Sequence, residues 1–218
     1  AVEIVDNHTL EAYARRIVAK VERFNKEYSA VTFTEPLPEN IRPGHLIAAD
    51  EPGPDVHISG CRMSGNRARG LLIGSRGRVI IENNYFHIAG ASILFEGDGN
   101  FWFEQSGVRD VTIRNNIFAN GNYGSRGWGS ACIAVGSGIS QRQTSRYHRN
   151  IQVDGNLFRV FDPRIVNLYC VDGFQFSASN RIVRTSDYPA TFDPKLHFVF
   201  DQCDHIEIPR QIEMAEQR

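Results

Sequence analysis

Six short segments of this chain are variations on one pattern. They are Asp55-Val-His-Ile58, Arg78-Val-Ile-Ile81, Asp110-Val-Thr-Ile113, Asn150-Ile-Gln-Val153, Gly173-Phe-Gln-Phe176 and His205-Ile-Glu-Ile208. Each carries apolar residues at its second and fourth positions, the alternation of a strand with one buried face. Three continue almost identically, as Glu82-Asn-Asn-Tyr-Phe86, Arg114-Asn-Asn-Ile-Phe118 and Asp154-Gly-Asn-Leu-Phe158. The starts lie 23, 32, 40, 23 and 32 residues apart. A unit of about 22 to 23 residues with insertions of variable length accounts for that series.

A second set of short apolar runs falls between the first: Gly70-Leu-Leu-Ile73, Ser92-Ile-Leu-Phe95, Cys132-Ile-Ala-Val135, Val166-Asn-Leu-Tyr169 and His197-Phe-Val-Phe200. Two or three strands per unit with no helical run between them predict an all-β chain, a right-handed parallel β-helix whose coils pair backbone to backbone. The gaps offer no helical crossover for a βαβ sheet. A β-sandwich stays open as the alternative. Asn84, Asn116 and Asn156 recur at one repeat position. They are expected to form a turn ladder, tolerating left-handed φ and bonding to the next coil. Gly60, Gly65, Gly70 and Gly90 are expected at turns.

Residues 1–54 break the pattern and are taken as a separate N-terminal module, with the β-helix over 55–218. Leu10, Tyr13, Ile17, Val21, Phe24 and Tyr28 have helical spacing. The same stretch also reads as a hairpin from Arg16 to Phe33 turning at Asn25-Lys-Glu27. Pro36, Pro38, Pro43, Pro52 and Pro54 suggest a stiff connector.

Charge excludes some function classes. Lys and Arg number 24 against 25 Asp and Glu, so no basic excess points to nucleic acid. No apolar run is long enough to span a membrane, and the first residues lack a signal peptide's basic and apolar regions. Cys61, Cys132, Cys170 and Cys203 are widely spaced and are expected to be free and buried. The histidines lack ligand spacing, so no metal or other cofactor is expected.

In a solenoid, insertions gather on one face, often the binding face. Here the long ones are 97–109, 119–130 and 137–149, and they hold Trp102, Tyr123, Trp128 and Tyr147. Aromatic faces beside carboxylates and arginines suit sugars; the same aromatics serve equally as caps on the solenoid. Glycoside hydrolysis needs two carboxyl groups, and Glu96, Asp98 and Glu104 are the candidates in this region.

Asn66-Arg-Ala-Arg-Gly70, Val79-Ile-Ile-Glu-Asn-Asn84, Ala91-Ser-Ile-Leu-Phe-Glu-Gly-Asp98, Phe101-Trp-Phe-Glu104 and Val108-Arg-Asp-Val-Thr-Ile-Arg-Asn-Asn116 together resemble glycoside hydrolase family 110. The likeness runs from about Thr9 to Asp187, in the C-terminal portion of such enzymes. That resemblance implies exo-acting, inverting α-1,3-galactosidases that need no metal, with β-barrel modules inserted into a β-helix, and so favours the hairpin. It implies a galactose-terminated glycan as partner and an extracellular or periplasmic setting. The family's catalytic aspartates, including an Asp-Asp pair, lie upstream of the matched region, and this chain has no Asp-Asp pair. Arg67, Arg69, Glu96, Asp98, Trp102, Glu104 and Trp128 are therefore expected to line the sugar site, with Asp98 and Glu104 as the catalytic candidates within the chain. The alternative is a non-catalytic glycan-binding β-helix. Exposed strand edges at the first coil also suggest self-association.

Overall fold

The computed structural model describes residues 1–104, 107–142, 144–189 and 197–216. Residues 105–106 of the first insertion and 143 of the third lie outside the described residues. The chain begins with β1 (Val2–Val5), β2 (Ala12–Arg16), β3 (Val18–Arg23), β4 (Ser29–Phe33) and β5 (Leu46–Ala49). Strand β1 pairs antiparallel with both β2 and β5, while β3 and β4 form a hairpin. The helical spacing seen in the sequence is thus overridden by strand pairing. The Pro-rich stretch is not a simple connector either, because Leu46–Ala49 within it is a strand of the β1 sheet.

The remaining strands wind as a parallel β-helix. Its coils are β6 (Val56–Ser59), β7 (Arg62–Ser64) and β8 (Leu71–Ile73); β9 (Arg78–Glu82), β10 (Tyr85–His87) and β11 (Ile93–Phe95); and β12 (Asp110–Arg114), β13 (Ile117–Ala119) and β14 (Ile133–Val135). They continue with β15 (His148–Asp154), β16 (Leu157–Val160) and β17 (Arg164–Tyr169); β18 (Val171–Phe176), β19 (Arg181–Arg184) and β20 (His197–Asp201); and finally β21 (Asp204–Glu207) and β22 (Met214–Glu216). Strands one coil apart pair in parallel. This gives a first sheet β6-β9-β12-β15-β18-β21, a second sheet β7-β10-β13-β16-β19-β22 and a third sheet β8-β11-β14-β17-β20.

Inward positions stack in register from coil to coil. Val79, Val111, Ile151 and Phe174 form one buried file, and Ile93, Ile133 and Val166 another. Phe86, Phe118 and Phe158 stack nearly parallel, with ring centroids 5.2 and 4.6 Å apart. Each such side chain contributes about 1.5–3 kcal/mol by burial, so the core is distributed along the axis rather than centred.

The corner between the first two sheets carries the asparagine ladder. The amide N–H and side-chain Nδ2 of Asn84 both donate to Asn116 Oδ1 at 3.0 Å. The same two groups of Asn116 donate to Asn156 Oδ1, and those of Asn156 to Asn180 Oδ1. The left-handed φ falls one residue earlier than the sequence suggested, at Asn83 (57°) and Asn115 (55°). Cys61 takes the ladder position in the first coil and donates its N–H to Asn84 Oδ1. Among the described residues no coil packs beyond it, and that thiol is exposed, unlike buried Cys132 and Cys170. Gly60 and Gly65 do turn with positive φ. Gly90 serves close approach instead: a Cβ there would lie 2.0 Å from the Ala68 carbonyl oxygen and 2.3 Å from that of Trp128.

The N-terminal module is anchored where the third sheet turns into the first. Arg76 pairs with Glu3 at 2.7 Å and donates to the carbonyls of Ala49 and Glu51. Leu10 packs in a small cluster with Leu46, Ile139 and Tyr147. Ser140 and Gln141 donate their N–H groups to the His8 carbonyl.

Candidate functional site

All three insertions border the third sheet. The first and third leave β11 and β14 on the way to the first sheet, and the second enters β14 from the second sheet. Between them the outer face of the third sheet becomes the floor of a groove of about 660 Å³. One outward file of that floor is Leu72, Leu94, Ala134, Asn167 and Val199. A second ends with Tyr169 beside Asp201. The small residues Ala134 and Gly136 keep the centre low, while Trp128, Arg69, Glu96, Tyr169 and Arg142 rise around it.

Trp128 is set by a 3-10 turn, Arg126–Trp128, whose preceding Ser125 accepts from the Gly127 N–H. The Trp128 carbonyl accepts from the Ala91 N–H at 3.2 Å. The following Gly129 lies so close that a Cβ would meet the Ala91 nitrogen at 2.2 Å. Arg67 places its guanidinium 5.6 Å from the Trp128 ring centroid, a cation–π distance.

Glu96 is half-buried, and its carboxyl is pushed above the ordinary carboxylate range. Burial is the main cause; Arg69 opposes it, and the charges of Glu104 and Asp98 add to it. Glu96 is thus more readily protonated than an ordinary carboxyl, and when protonated it can both donate and accept a hydrogen bond. On the opposite wall Arg142 pairs with Asp201 at 3.0 Å and stacks 4.4 Å from the Tyr169 ring. Burial and a hydrogen bond with Cys170 push the Tyr169 phenol up to about 12, so it stays a donor.

Asp98 has a different environment. Burial raises its carboxyl, but the backbone N–H groups of Trp102, Asn100 and Phe101 outweigh that and hold it below the ordinary range. Its Oδ1 accepts from Asn100 at 2.8 Å, and its Oδ2 from Phe101 at 2.9 Å and from Trp102. Both oxygens are engaged by the loop. Glu104 is exposed, and its carbonyl accepts from the Asp98 N–H.

The structure therefore brings Arg67, Arg69, Glu96 and Trp128 together on one side of the groove. Asp98, Trp102 and Glu104 lie on the adjoining loop. Reading the sequence through its insertions missed Asn167, Tyr169, Asp201 and Arg142. The first three occupy outward positions of aligned third-sheet strands. For Asn167 the available signal was a polar residue at a position where Leu94 and Ala134 stand in the preceding coils.

Residues 1–47 match a family model described as GLAA-B beta-barrel domain II. Over 181 residues the chain is 38% identical to an alpha-1,3-galactosidase A of Shewanella woodyi, covering 83% of this chain and 29% of that protein. An alpha-1,3-galactosidase B of Bacteroides thetaiotaomicron is 34% identical over 206 residues, 94% of this chain and 33% of its own length. A third, alpha-1,3-galactosidase B of Akkermansia muciniphila, is 29% identical over 95% of this chain and 26% of its own length. The chain spans a third or less of each of these three relatives.

Proposed function

From a chain homologous over most of its length to alpha-1,3-galactosidases A and B, we propose a carbohydrate-active β-helix of the glycoside hydrolase kind. Its third-sheet groove holds the terminal α-linked galactose of a glycan. The observation that carries this reading is the wall of Trp128, Arg69 and half-buried Glu96 over a floor of small residues. Trp128 offers an apolar face to the C–H side of a sugar ring. Glu96, Arg69, Asn167 and Asp201 offer the mixed donors and acceptors that an array of hydroxyls needs.

Inverting hydrolysis protonates the leaving oxygen with one carboxyl group while a second activates water on the opposite face. Glu96, with its raised proton affinity, is suited to donate a hydrogen bond from its protonated carboxyl. Asp98 supports the loop rather than the reaction, because its oxygens are engaged by backbone N–H groups. That engagement favours a second reading, in which the chain binds galactose and the acid and base are supplied outside it.

The test is incubation with galactosyl-α-1,3-galactose, following free galactose by chromatography and sugar binding by calorimetry. Binding with turnover supports hydrolysis within the chain, and binding without turnover supports the second reading. Binding of neither galactose nor the disaccharide would reject both. The galactose reading carries with it an extracellular or periplasmic setting. The single-sided pairing of β6, β7 and β8 also makes self-association part of the proposal, checked by sedimentation velocity.

A further inference from the structure

Gly136 extends the register of the third sheet one residue past Val135. Glu96 therefore stands beside it one coil earlier and Tyr169 one coil later. All three line the groove. A glycine on a strand weakens pairing and leaves nothing to pack; its usual reasons are a bulge, a tight bend, a close backbone neighbour or a ligand. The structure removes the first three. Residues Ile133–Val135 pair with both neighbouring strands without a register shift. Gly136 does not take a left-handed φ. Among the described residues a Cβ on it would meet only Glu96 Oε1 within 4 Å, at 4.0 Å, an ordinary contact. Gly90 and Gly129 differ, since a Cβ on either would run into backbone of a neighbouring turn. The fold thus has room for a side chain at 136 and no need of its absence, and that room opens into the groove.

What stands on either side of that gap is fixed. The Glu96 carboxyl leans toward position 136 from one coil. From the other, Tyr169 is braced, because Arg142 lies 4.4 Å from its ring centroid and is itself held by Asp201 at 3.0 Å. Parallel strands lie about 4.8 Å apart, so the backbones of Glu96 and Tyr169 are about 10 Å apart, with only Gly136 between them in that file. We infer that Gly136 is a specificity-determining position of the groove. Its bare backbone seats the terminal pyranose, with the Glu96 carboxyl at one edge of the ring and Tyr169 at the other. A side chain at 136 would stand where the ring does. This inference rests on the galactose reading of the groove and says where in it the terminal ring lies.

The experiment measures the affinity of the full chain for galactose and for galactosyl-α-1,3-galactose by calorimetry, in the unaltered chain and in Gly136→Ala, Gly136→Val and Ser64→Val. The last adds bulk at an exposed, outward position of the second sheet. Gly136→Ala is expected to lose about tenfold and Gly136→Val about a hundredfold, the range that surplus methyl groups cost in a fitted site. The loss should be equal for the two sugars, because both present the same terminal ring. Ser64→Val should bind as the unaltered chain does. Urea unfolding provides the second readout, and its midpoint should rise in Gly136→Ala, since alanine suits a strand better than glycine. A lowered midpoint in that variant means that the fold needs the glycine, and overturns the assignment. Unchanged galactose affinity in Gly136→Val, or a loss confined to the disaccharide, also overturns the seat and leaves the groove reading standing. Failure of the unaltered chain to bind either sugar overturns the groove reading and the seat with it.

Discussion

Replacing Asn116 with alanine tests whether the asparagine ladder holds the coils together. The side chain makes four hydrogen bonds in a buried setting. Oδ1 accepts from the Asn84 N–H and Nδ2, and Nδ2 donates to the Ile81 carbonyl and to Asn156 Oδ1. Asn84 Nδ2 keeps its bond to the Ile58 carbonyl, and Asn156 Oδ1 keeps the Asn116 N–H. The Asn84 N–H and the Ile81 carbonyl lose these side-chain partners in the interior. Two net bonds at about 1 kcal/mol each and two stranded groups at about 1–2 kcal/mol each give a loss of about 4–6 kcal/mol. For a chain of this size that corresponds to a fall in Tm on the order of 10–20 °C. Asn180→Ala is the comparison, because that residue is only half-buried and water replaces some of its bonds. Urea unfolding followed by circular dichroism measures both variants. A loss below about 1 kcal/mol for Asn116→Ala, or one equal to that of Asn180→Ala, would refute the argument that buried ladder bonds fix the coil spacing.

Three further outcomes follow from the same structure. Glu96→Gln should stabilise the fold at pH 7. The raised carboxyl binds its proton more tightly when folded, so its favourable contribution is complete below the ordinary carboxylate range and is lost as pH rises through the shifted value; the gain should vanish near pH 3 in urea titrations. His148 is fully buried and held down to about 4, so the unfolded chain takes up a proton first as pH falls below about 6.5. Stability should decline from there toward pH 4, with a shallower slope in His148→Gln. Arg76→Ala removes the Glu3 ion pair and two carbonyl contacts. Losing one partner of a largely buried pair costs about 3 kcal/mol, and limited proteolysis should then cut the N-terminal module faster than the β-helix.

How much of this was legible in the sequence differs by layer. The β-helix was legible because its inward files repeat: Val79, Val111 and Ile151 must each be apolar for the stack to close, so period-2 alternation survives in every coil. The third-sheet strands were legible for the same reason. The roles within the corners were less so. Asn83 and Asn84 are chemically identical, and only the backbone decides which one turns and which one bonds. Asp98 is a candidate acid by residue type, while the three N–H groups that bond to its carboxylate are a fact of loop conformation rather than composition. Asn167, Tyr169 and Asp201 were overlooked because each belongs to a strand, while attention followed the loops. Tyr169 meets Asp201, and Asn167 meets Val199, only through pairing between coils some 30 residues apart.

The constant spacing of the third sheet gives the groove a scale. Parallel strands stack about 4.8 Å apart, so its five strands mark off a length of about 19 Å in equal steps. A change at Glu96, Ala134, Asn167 or Asp201 alters the reading at a single graduation and leaves the others where they were. Lengthening an insertion changes what stands beside the ruler without moving its marks. A lineage that adopts this frame can therefore revise what the groove offers one position at a time, with the backbone that spaces those positions left untouched.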